Sequence, residues 1–257
     1  MIGLRLIGPE AALHAAIDRI LVRCAVAGIE ERAEQRDVWL HADSPPLPAL
    51  DDVAVTRLPP PTAAAADWTA GDAAIEVAPD LVVRPPWVAS LQRPGIELVV
   101  PRGMAFGSGE HESTRLALLA MREAVRGGSF ADIGTGSGIL ALYGRALGCR
   151  PLAACDVEEA AIEAATELVP ELDARLGGPA MLQPLGPFDH VVANLRGEEL
   201  LSCLDAVLAL WNGSGAMVLS GLRPHELDAL RRRLPARPTP AVHRGERFVS
   251  VRLAEAL

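Results

Sequence analysis

The sequence predicts an α/β fold with a doubly wound, mostly parallel sheet, preceded by a small α+β domain. From Phe130 to Leu253, short apolar segments typical of strands alternate with segments that carry apolar residues at helical spacing. Such alternation is typical of a parallel sheet with helices on both faces. A stretch rich in proline and alanine, near residue 60, separates this region from the residues before it.

The residues before this stretch predict the small domain. Ile2–Ile7 and Asp37–His41 are typical of strands, and Pro9–Val26 carries apolar residues at helical spacing. Together they predict a β-α-β unit over residues 1–60. Prolines and alanines in Ser44–Ala66 favour a stiff, extended linker. The large domain is therefore expected over residues 67–257.

The large domain is predicted to begin with short strands and one helix, Glu112–Val125. The short strands are Ile75–Val77, Leu81–Val83 and Ile96–Val100. The strands predicted after this helix are Phe130–Ile133, Leu152–Cys155, Ala180–Leu182, His190–Ala193, Ala216–Leu219 and Phe248–Leu253. The helices predicted between them are Ile139–Leu147, Glu158–Leu168, Leu200–Leu210 and Pro224–Leu234.

Charge and composition exclude several classes of function. All 24 basic residues are arginine, which excludes a P-loop lysine and a Schiff-base lysine. The net charge of −9 repels phosphate backbones, so we expect no direct nucleic-acid binding. The same charge favours encounter with a basic partner.

Cysteine and histidine spacing predicts no metal site. The four cysteines form no C-x-x-C pair, so we expect reduced thiols. His111-Glu112 lacks the second histidine of a zinc protease motif, because Arg115 stands in its place. Charged residues interrupt the first twenty positions, and no apolar run reaches the length of a membrane span. We therefore expect a cytoplasmic protein.

The loop Asp132–Gly138 follows an apolar strand and precedes a helix. Its sequence, DIGTGSG, contains three glycines that allow a tight turn close to a ligand: Gly134, Gly136 and Gly138. Asp156 ends the next strand, where a carboxylate can accept hydrogen bonds from ribose hydroxyls. This spacing is typical of an S-adenosylmethionine loop, since a dinucleotide fingerprint needs Gly or Ala in place of Ile139. A NAD site and a purely structural turn are the alternatives.

A third polar residue also ends a predicted strand. Asn194 follows Val191-Val192-Ala193, and Asp156 and the glycine loop stand at equivalent ends. Ligands of open parallel sheets bind beyond the carboxyl ends of the strands. The coincidence favours a functional Asn194, although a turn-forming role is the alternative.

With these residues in place, the chain resembles the PrmA family, the ribosomal protein L11 methyltransferases. The resemblance rests on the small N-terminal domain, the segment Gly103–Thr114 (GMAFGSGEHEST), the loop Asp132–Gly138, Asp156, and Pro187-Phe188-Asp189 leading to Asn194. It implies a class I methyltransferase (Rossmann-like) sheet and S-adenosylmethionine as cofactor. It also implies methyl transfer to lysine side chains and the N-terminal amine of ribosomal protein L11, with residues 1 to about 60 recognising this substrate.

The resemblance also assigns site residues. The family's cofactor positions fall on Thr114, Gly134, Asp156 and Asn194, and its aromatic position near the reacting methyl group falls on Phe106. We therefore expect Gly134, Gly136 and Gly138 to bind cofactor, and Asn194 and Phe106 to serve catalysis, in a monomer.

The chain departs from the family between Met181 and Pro187, where it has no carboxylate for the adenine amino group. We therefore expect weakened cofactor binding. A methyltransferase of another protein or of a small molecule stays open as an alternative. So does a relative that binds ribosomal protein without catalysis.

Overall fold

The computed structural model divides into two compact units, Met1–Ala70 and Gly71–Leu257. The residues it describes are 2–24, 26–32, 34–40, 46–50, 52–58, 73–86, 88–101, 109–235 and 238–254. Most of the predicted linker and the segment 102–108 lie outside them. Among the described helices, none is both long and apolar enough to cross a membrane.

The described residues of the first unit form an antiparallel sheet and one helix. Its elements are β1 (Ile2–Ile7), α1 (Glu10–Arg23), β2 (Val26–Arg32), β3 (Gln35–Leu40) and β4 (Ala54–Leu58). The strand order is β2-β3-β1-β4. Alternate residues of β1 and β3 pack with the apolar side of α1 into a core that contains Leu4, Leu6, Leu13, Ile20 and Val38.

Two strands of this unit differ from the sequence-based expectation. The helix ends at Arg23, and Val26 begins β2 rather than ending the helix. β4 lies inside the stretch predicted as linker and pairs with β1. Its side chains are exposed or only half-buried, so no apolar alternation distinguishes it from extended linker.

The second unit begins with a small sheet. It contains β5 (Ile75–Ala78), β6 (Leu81–Arg84) and β7 (Ile96–Val99), in that order. β5 and β6 are antiparallel, and β6 and β7 are parallel. These strands agree with the predicted ones.

The main sheet has seven strands: β8 (Phe130–Ile133), β9 (Leu152–Asp156), β10 (Asp173–Leu176), β11 (His190–Asn194), β12 (Met217–Leu222), β13 (Ala241–Arg244) and β14 (Val249–Leu253). The helices of this unit are α2 (Glu112–Ala124), α3 (Ile139–Ala146), α4 (Glu159–Leu168), α5 (Gly197–Ala209) and α6 (Leu227–Arg231).

The strand order β10-β9-β8-β11-β12-β14-β13 confirms the predicted doubly wound α/β sheet. The first five strands of this order are parallel, and β14 is antiparallel to both of its neighbours, β12 and β13. Residues of α2, α3 and α4 pack on one face, and residues of α5 and α6 pack on the other. The order reverses between β8 and β11, which is where ligands of such sheets bind.

Two predictions in this unit need correction, and two strands were not predicted. The strand predicted at Ala180–Leu182 is wrong, because these residues belong to a short 3-10 helix, Pro179–Leu182. The edge strand is Asp173–Leu176, whose half-buried and exposed positions carry charges and hide the strand pattern. The predicted helix Pro224–Leu234 is a 3-10 turn followed by the short α6. β13 was not expected.

Asp189 fixes the amino end of β11 against β8. Its carboxylate accepts hydrogen bonds from the Ser129 amide at 2.7 Å, the Ser129 hydroxyl at 2.8 Å and Asn212 at 2.8 Å. These donors, the Ser129 amide foremost, hold the pKa of Asp189 well below its usual range.

We expect Asp189→Asn to lower the free energy of unfolding by about 2 kcal/mol at pH 7, because an amide accepts through one oxygen only. A lowered folded-state pKa stabilises the native state above the unfolded pKa, and this stabilisation is lost as pH falls. The difference between variant and parent should therefore shrink at pH 3. Urea unfolding at both pH values tests this, and an equal loss at both would contradict it.

Candidate functional site

The carboxyl ends of β8, β9 and β11 lie side by side at one edge of the main sheet. The register places Ile133 of β8 beside Cys155 of β9 and beside Ala193 of β11. The next residues along these strands are Gly134, Asp156 and Asn194. The structure thus brings together the three positions that the sequence singled out.

The glycine loop needs its glycines. Gly134, Gly136 and Gly138 have φ angles of 69°, 52° and 82°, which other residues rarely adopt. A Cβ on Gly138 would lie 2.9 Å from the Cα of Ala165 in α4, so the loop also packs closely. Gly138 precedes the first turn of α3, whose amides face the loop.

Asp156 binds the loop from the neighbouring strand. Its Oδ2 accepts from the Gly136 amide at 2.9 Å, and its Oδ1 accepts from the Glu158 amide at 3.0 Å. The side chain is only half-buried, and each carboxylate oxygen has a further lone pair. Asp156 can therefore hold the loop and still accept hydroxyl donors from a ligand.

Asp132 is fully buried beneath the same loop. Its Oδ2 accepts from the Thr135 hydroxyl at 2.8 Å, whereas its Oδ1 has no hydrogen-bond partner among the described residues. Burial raises the pKa of Asp132 to about 7, against the opposing effect of the Thr135 hydrogen bond. In the sequence, Asp132 is recognisable only as the first residue of the loop Asp132–Gly138.

The two polar atoms of the Asn194 side-chain amide differ in their hydrogen bonding. Its Nδ2 donates to the hydroxyl of Thr114 at 3.2 Å, and Thr114 is fully buried in the first turn of α2. Its Oδ1 is buried and finds no donor in the described structure. An unpaired buried acceptor is costly, so this oxygen is suited to a donor supplied from outside the chain.

The residues that hold the first turn of α2 are not predicted from the sequence. The Ser220 hydroxyl, on β12 opposite Asn194 of β11, donates to the Ser113 carbonyl at 2.8 Å. The Glu112 carboxylate accepts from the Arg247 amide at 3.1 Å. Serine in the otherwise apolar strand β12 was the available signal for Ser220. Nothing local indicated the contact between Glu112 and Arg247.

An aromatic contact adds to this support. The rings of His111 and Phe248 lie 4.7 Å apart, edge to face, and the Arg223 guanidinium lies 4.3 Å from the Phe248 ring centre. His111 Nδ1 also accepts from the Ser113 amide at 3.3 Å and so caps α2. These contacts give His111 a structural role at the start of α2.

Phe106 and the rest of Gly103–Ser108 lie outside the described residues, so their predicted role stays a prediction. Within the described residues, no group of His, Cys, Asp and Glu side chains is arranged to hold a metal ion. The four cysteines are free thiols. The site thus presents acceptor oxygens and loop amides, which suit a ligand with several hydrogen-bond donors and a carboxylate.

The chain is similar in sequence to known proteins. Residues 62–237 match the family described as Ribosomal protein L11 methyltransferase (PrmA). A protein of that name from Pediococcus pentosaceus is 35% identical over 157 residues, covering 58% of this chain and 49% of its own. One from Geobacter metallireducens is 31% identical over 182 residues, covering 68% and 61%. This chain thus spans about half the length of the first of these curated relatives.

A solved structure extends the comparison. The crystal structure of ribosomal protein L11 methylase from Lactobacillus delbrueckii subsp. bulgaricus aligns with a TM-score of 0.61 and 27% sequence identity. The alignment covers 70% of this chain and 97% of that one.

Gly138→Ala should destabilise the protein more than Gly148→Ala. Both glycines have similar φ angles, 82° and 85°, but a Cβ on Gly148 would meet nothing within 4 Å. We expect Gly148→Ala to lower the free energy of unfolding by about 1 kcal/mol, because of backbone strain. Gly138→Ala should lower it by about 3 kcal/mol, because the added methyl group would also press against Ala165. Urea unfolding compares the two, and equal losses would refute the close packing of the loop.

Asp132→Asn should change the pH dependence of stability. A raised folded-state pKa means that the folded protein binds the extra proton, so stability is lost as pH rises from about 4 towards 7. The asparagine variant lacks this loss. Between pH 5.5 and pH 8, we expect the free energy of unfolding of the variant to rise by about 2 kcal/mol relative to that of the parent. Parallel unfolding curves at the two pH values would contradict this.

Proposed function

Because the chain belongs to the ribosomal protein L11 methyltransferase (PrmA) family, we propose that it transfers methyl groups from S-adenosylmethionine to amines of ribosomal protein L11. The observation that carries this proposal is the buried Oδ1 of Asn194, which has no partner among the described residues and lies at the strand end next to the glycine loop after β8. An acceptor in that position suits an amine that must be oriented before it reacts.

The described residues fit the cofactor. The Asp156 carboxylate would accept from the ribose hydroxyls, and the loop Gly134–Gly138 would bind the amino-acid end. Thr114 and Asn194 would close the site from α2 and β11, since they are hydrogen-bonded to each other. When bound, the cofactor supplies a methyl group already activated by a positively charged sulfur.

The chain's own task is to orient the amine and exclude water. Asn194 Oδ1 would accept from one amine N–H and so direct the nitrogen lone pair at the methyl carbon. Thr114 keeps the Asn194 amide from rotating, because it accepts from Nδ2. An amine with a pKa of about 10.4 must first lose a proton, and we propose that solvent water accepts this proton.

The acidic surface supports a basic acceptor protein. The net charge of −9 would raise the rate of encounter with a basic acceptor protein at low salt. We propose that the first unit, residues 1 to about 60, recognises that protein. Phe106 is proposed to lie near the reacting methyl group, and the reaction to take place in the cytoplasm.

A labelled methyl donor tests the activity. The enzyme is incubated with the donor and unmethylated ribosomal protein L11, and then with a whole lysate. The chain has no lysine of its own, so self-labelling of lysine cannot mimic the product. Label on ribosomal protein L11 supports the proposal. Label on another band points to a different acceptor, and binding of the donor without any label points to a relative that lacks catalysis.

Asn194→Ala should reduce methyl transfer by at least a hundredfold, because the acceptor oxygen that orients the amine is removed. The control is the chain's other asparagine, in Asn212→Ala, which contacts Asp189 at the opposite end of β11. This control should lose stability but keep its rate at a temperature where it is folded. Normal transfer by Asn194→Ala would refute the role given to Asn194.

A further inference from the structure

We propose that Glu112 is a positioning residue, which sets the orientation of the Asn194 amide through the first turn of α2. Its carboxylate joins this turn to residues 245–248, the hairpin turn between β13 and β14. For its effect on methyl transfer, the inference rests on the proposed function. The link from Glu112 to Asn194 belongs to the ligand-free protein and can be measured by itself.

The hairpin turn encloses the Glu112 carboxylate. Its Oε2 accepts from the Arg247 amide at 3.1 Å, and its Oε1 lies 3.3 Å from the same nitrogen. A side chain at Gly245 would occupy the position of Oε1, so the turn fits around the carboxylate only with glycine here. A hydrogen bond to an ionised acceptor is about twice as strong as a neutral one, so this contact holds the start of α2 in place.

The first turn of α2 transmits this contact to Thr114. Glu112 begins the helix, and the Thr114 amide donates to the His111 carbonyl at 3.1 Å, which closes the turn around Glu112. The Thr114 side chain is fully buried, and its hydroxyl accepts from Asn194 Nδ2 at 3.2 Å. This distance is at the upper limit for such a bond, so a small shift of the turn breaks it.

The orientation of Asn194 depends on this hydrogen bond. Within the described part of the chain, its side chain is hydrogen-bonded to Thr114 alone, and its Oδ1 has no donor. Rotation about the last side-chain bond exchanges the positions of the amide oxygen and nitrogen, and only hydrogen bonds distinguish the two orientations. Without Thr114 in place, Oδ1 would no longer point steadily at the amine. Methyl transfer is sensitive to such misplacement, because the amine lone pair must be aligned with the methyl carbon.

The same helix offers a matched control. Glu123, near the carboxyl end of α2, forms an ion pair with Arg252 of β14 at 3.1 Å. Both glutamates therefore tie α2 to the antiparallel part of the sheet. Because Glu123 and Thr114 lie near opposite ends of the helix, loss of the ion pair should lower stability without moving Asn194.

Nuclear magnetic resonance with selective ¹⁵N labelling of asparagine tests the link in the ligand-free chain. The chain has two asparagines, so Asn212, which donates to Asp189, is an internal reference. In Glu112→Ala, we expect the Asn194 side-chain amide resonance to shift. Its hydrogens should exchange with water about tenfold faster, which corresponds to the loss of one hydrogen bond. The Asn212 amide should be unchanged, and in Glu123→Ala both amides should match the parent.

Two further variants test the contact from each side. Glu112→Gln keeps an acceptor oxygen for the Arg247 amide, so the Asn194 resonance should stay at its parent position. Arg247→Pro removes the donor, since proline has no backbone N–H. It should therefore change the Asn194 amide as Glu112→Ala does.

Kinetics measure the consequence for methyl transfer. With labelled donor and ribosomal protein L11, Glu112→Ala should lower kcat about tenfold, because the amine is less often aligned. Its dissociation constant for S-adenosylhomocysteine should stay within about threefold of the parent value, since Asp156 and the glycine loop are unchanged. Glu123→Ala should keep the parent kcat at a temperature where both variants are folded.

The outcomes separate this inference from the proposed function. A parent-like Asn194 amide in folded Glu112→Ala would overturn the inference and leave the methyltransferase proposal standing. Equal changes of this amide in Glu112→Ala and Glu123→Ala would also overturn it, as would a parent-like kcat in Glu112→Ala. If the parent transfers no methyl group but the Asn194 amide responds to Glu112→Ala alone, the proposed function is overturned and the link from Glu112 to Asn194 is supported.

Discussion

The hydrogen bond from the Gly136 amide to the Asp156 carboxylate joins the ends of two neighbouring strands, and the rest of the site depends on it. The turn after β8 needs three left-handed glycines, and such a turn leaves amides without the partners a regular element supplies. Asp156 provides one partner from β9, and the Cys155 carbonyl provides another for Gly134 at 2.8 Å. The loop thereby keeps a fixed shape before any ligand arrives, which limits the entropy lost on binding.

Two aspartates at opposite ends of the parallel strands differ in the number of hydrogen-bond donors around their carboxyl groups. Asp189 lies at the amino end of β11 and accepts from several donors, so its carboxylate is stable. Asp132 lies at the carboxyl end of β8, fully buried, with one donor. At the carboxyl ends of β8 and β11, two acceptor oxygens, on Asp132 and Asn194, have no hydrogen-bond partner among the described residues. Unpaired acceptors at a strand-order reversal are typical of a binding site.

The sequence predicts the parts of this site that follow from local chemistry. The glycine loop, Asp156 and Asn194 are recognisable because each follows an apolar strand, and register then brings them together without further information. The strand β10 and the strand β4 escape prediction because exposed edge strands need no apolar alternation. The contact between Glu112 and Arg247 also escapes, since it joins residues 135 positions apart.

That long-range contact makes the antiparallel edge of the sheet part of the site. Thr114 reaches Asn194 only if the first turn of α2 is fixed, and three contacts fix this turn. Ser220 of β12 donates to Ser113, and the Arg247 amide before β14 donates to Glu112. The Phe248 ring packs against His111. Gly245 lies so close to Glu112 that a Cβ there would overlap its carboxylate. A change in the turn between β13 and β14 therefore acts on Thr114 through Glu112, although it touches no ligand. Substitutions at Gly245 and Thr114 should for this reason combine non-additively, as expected for residues that share one network.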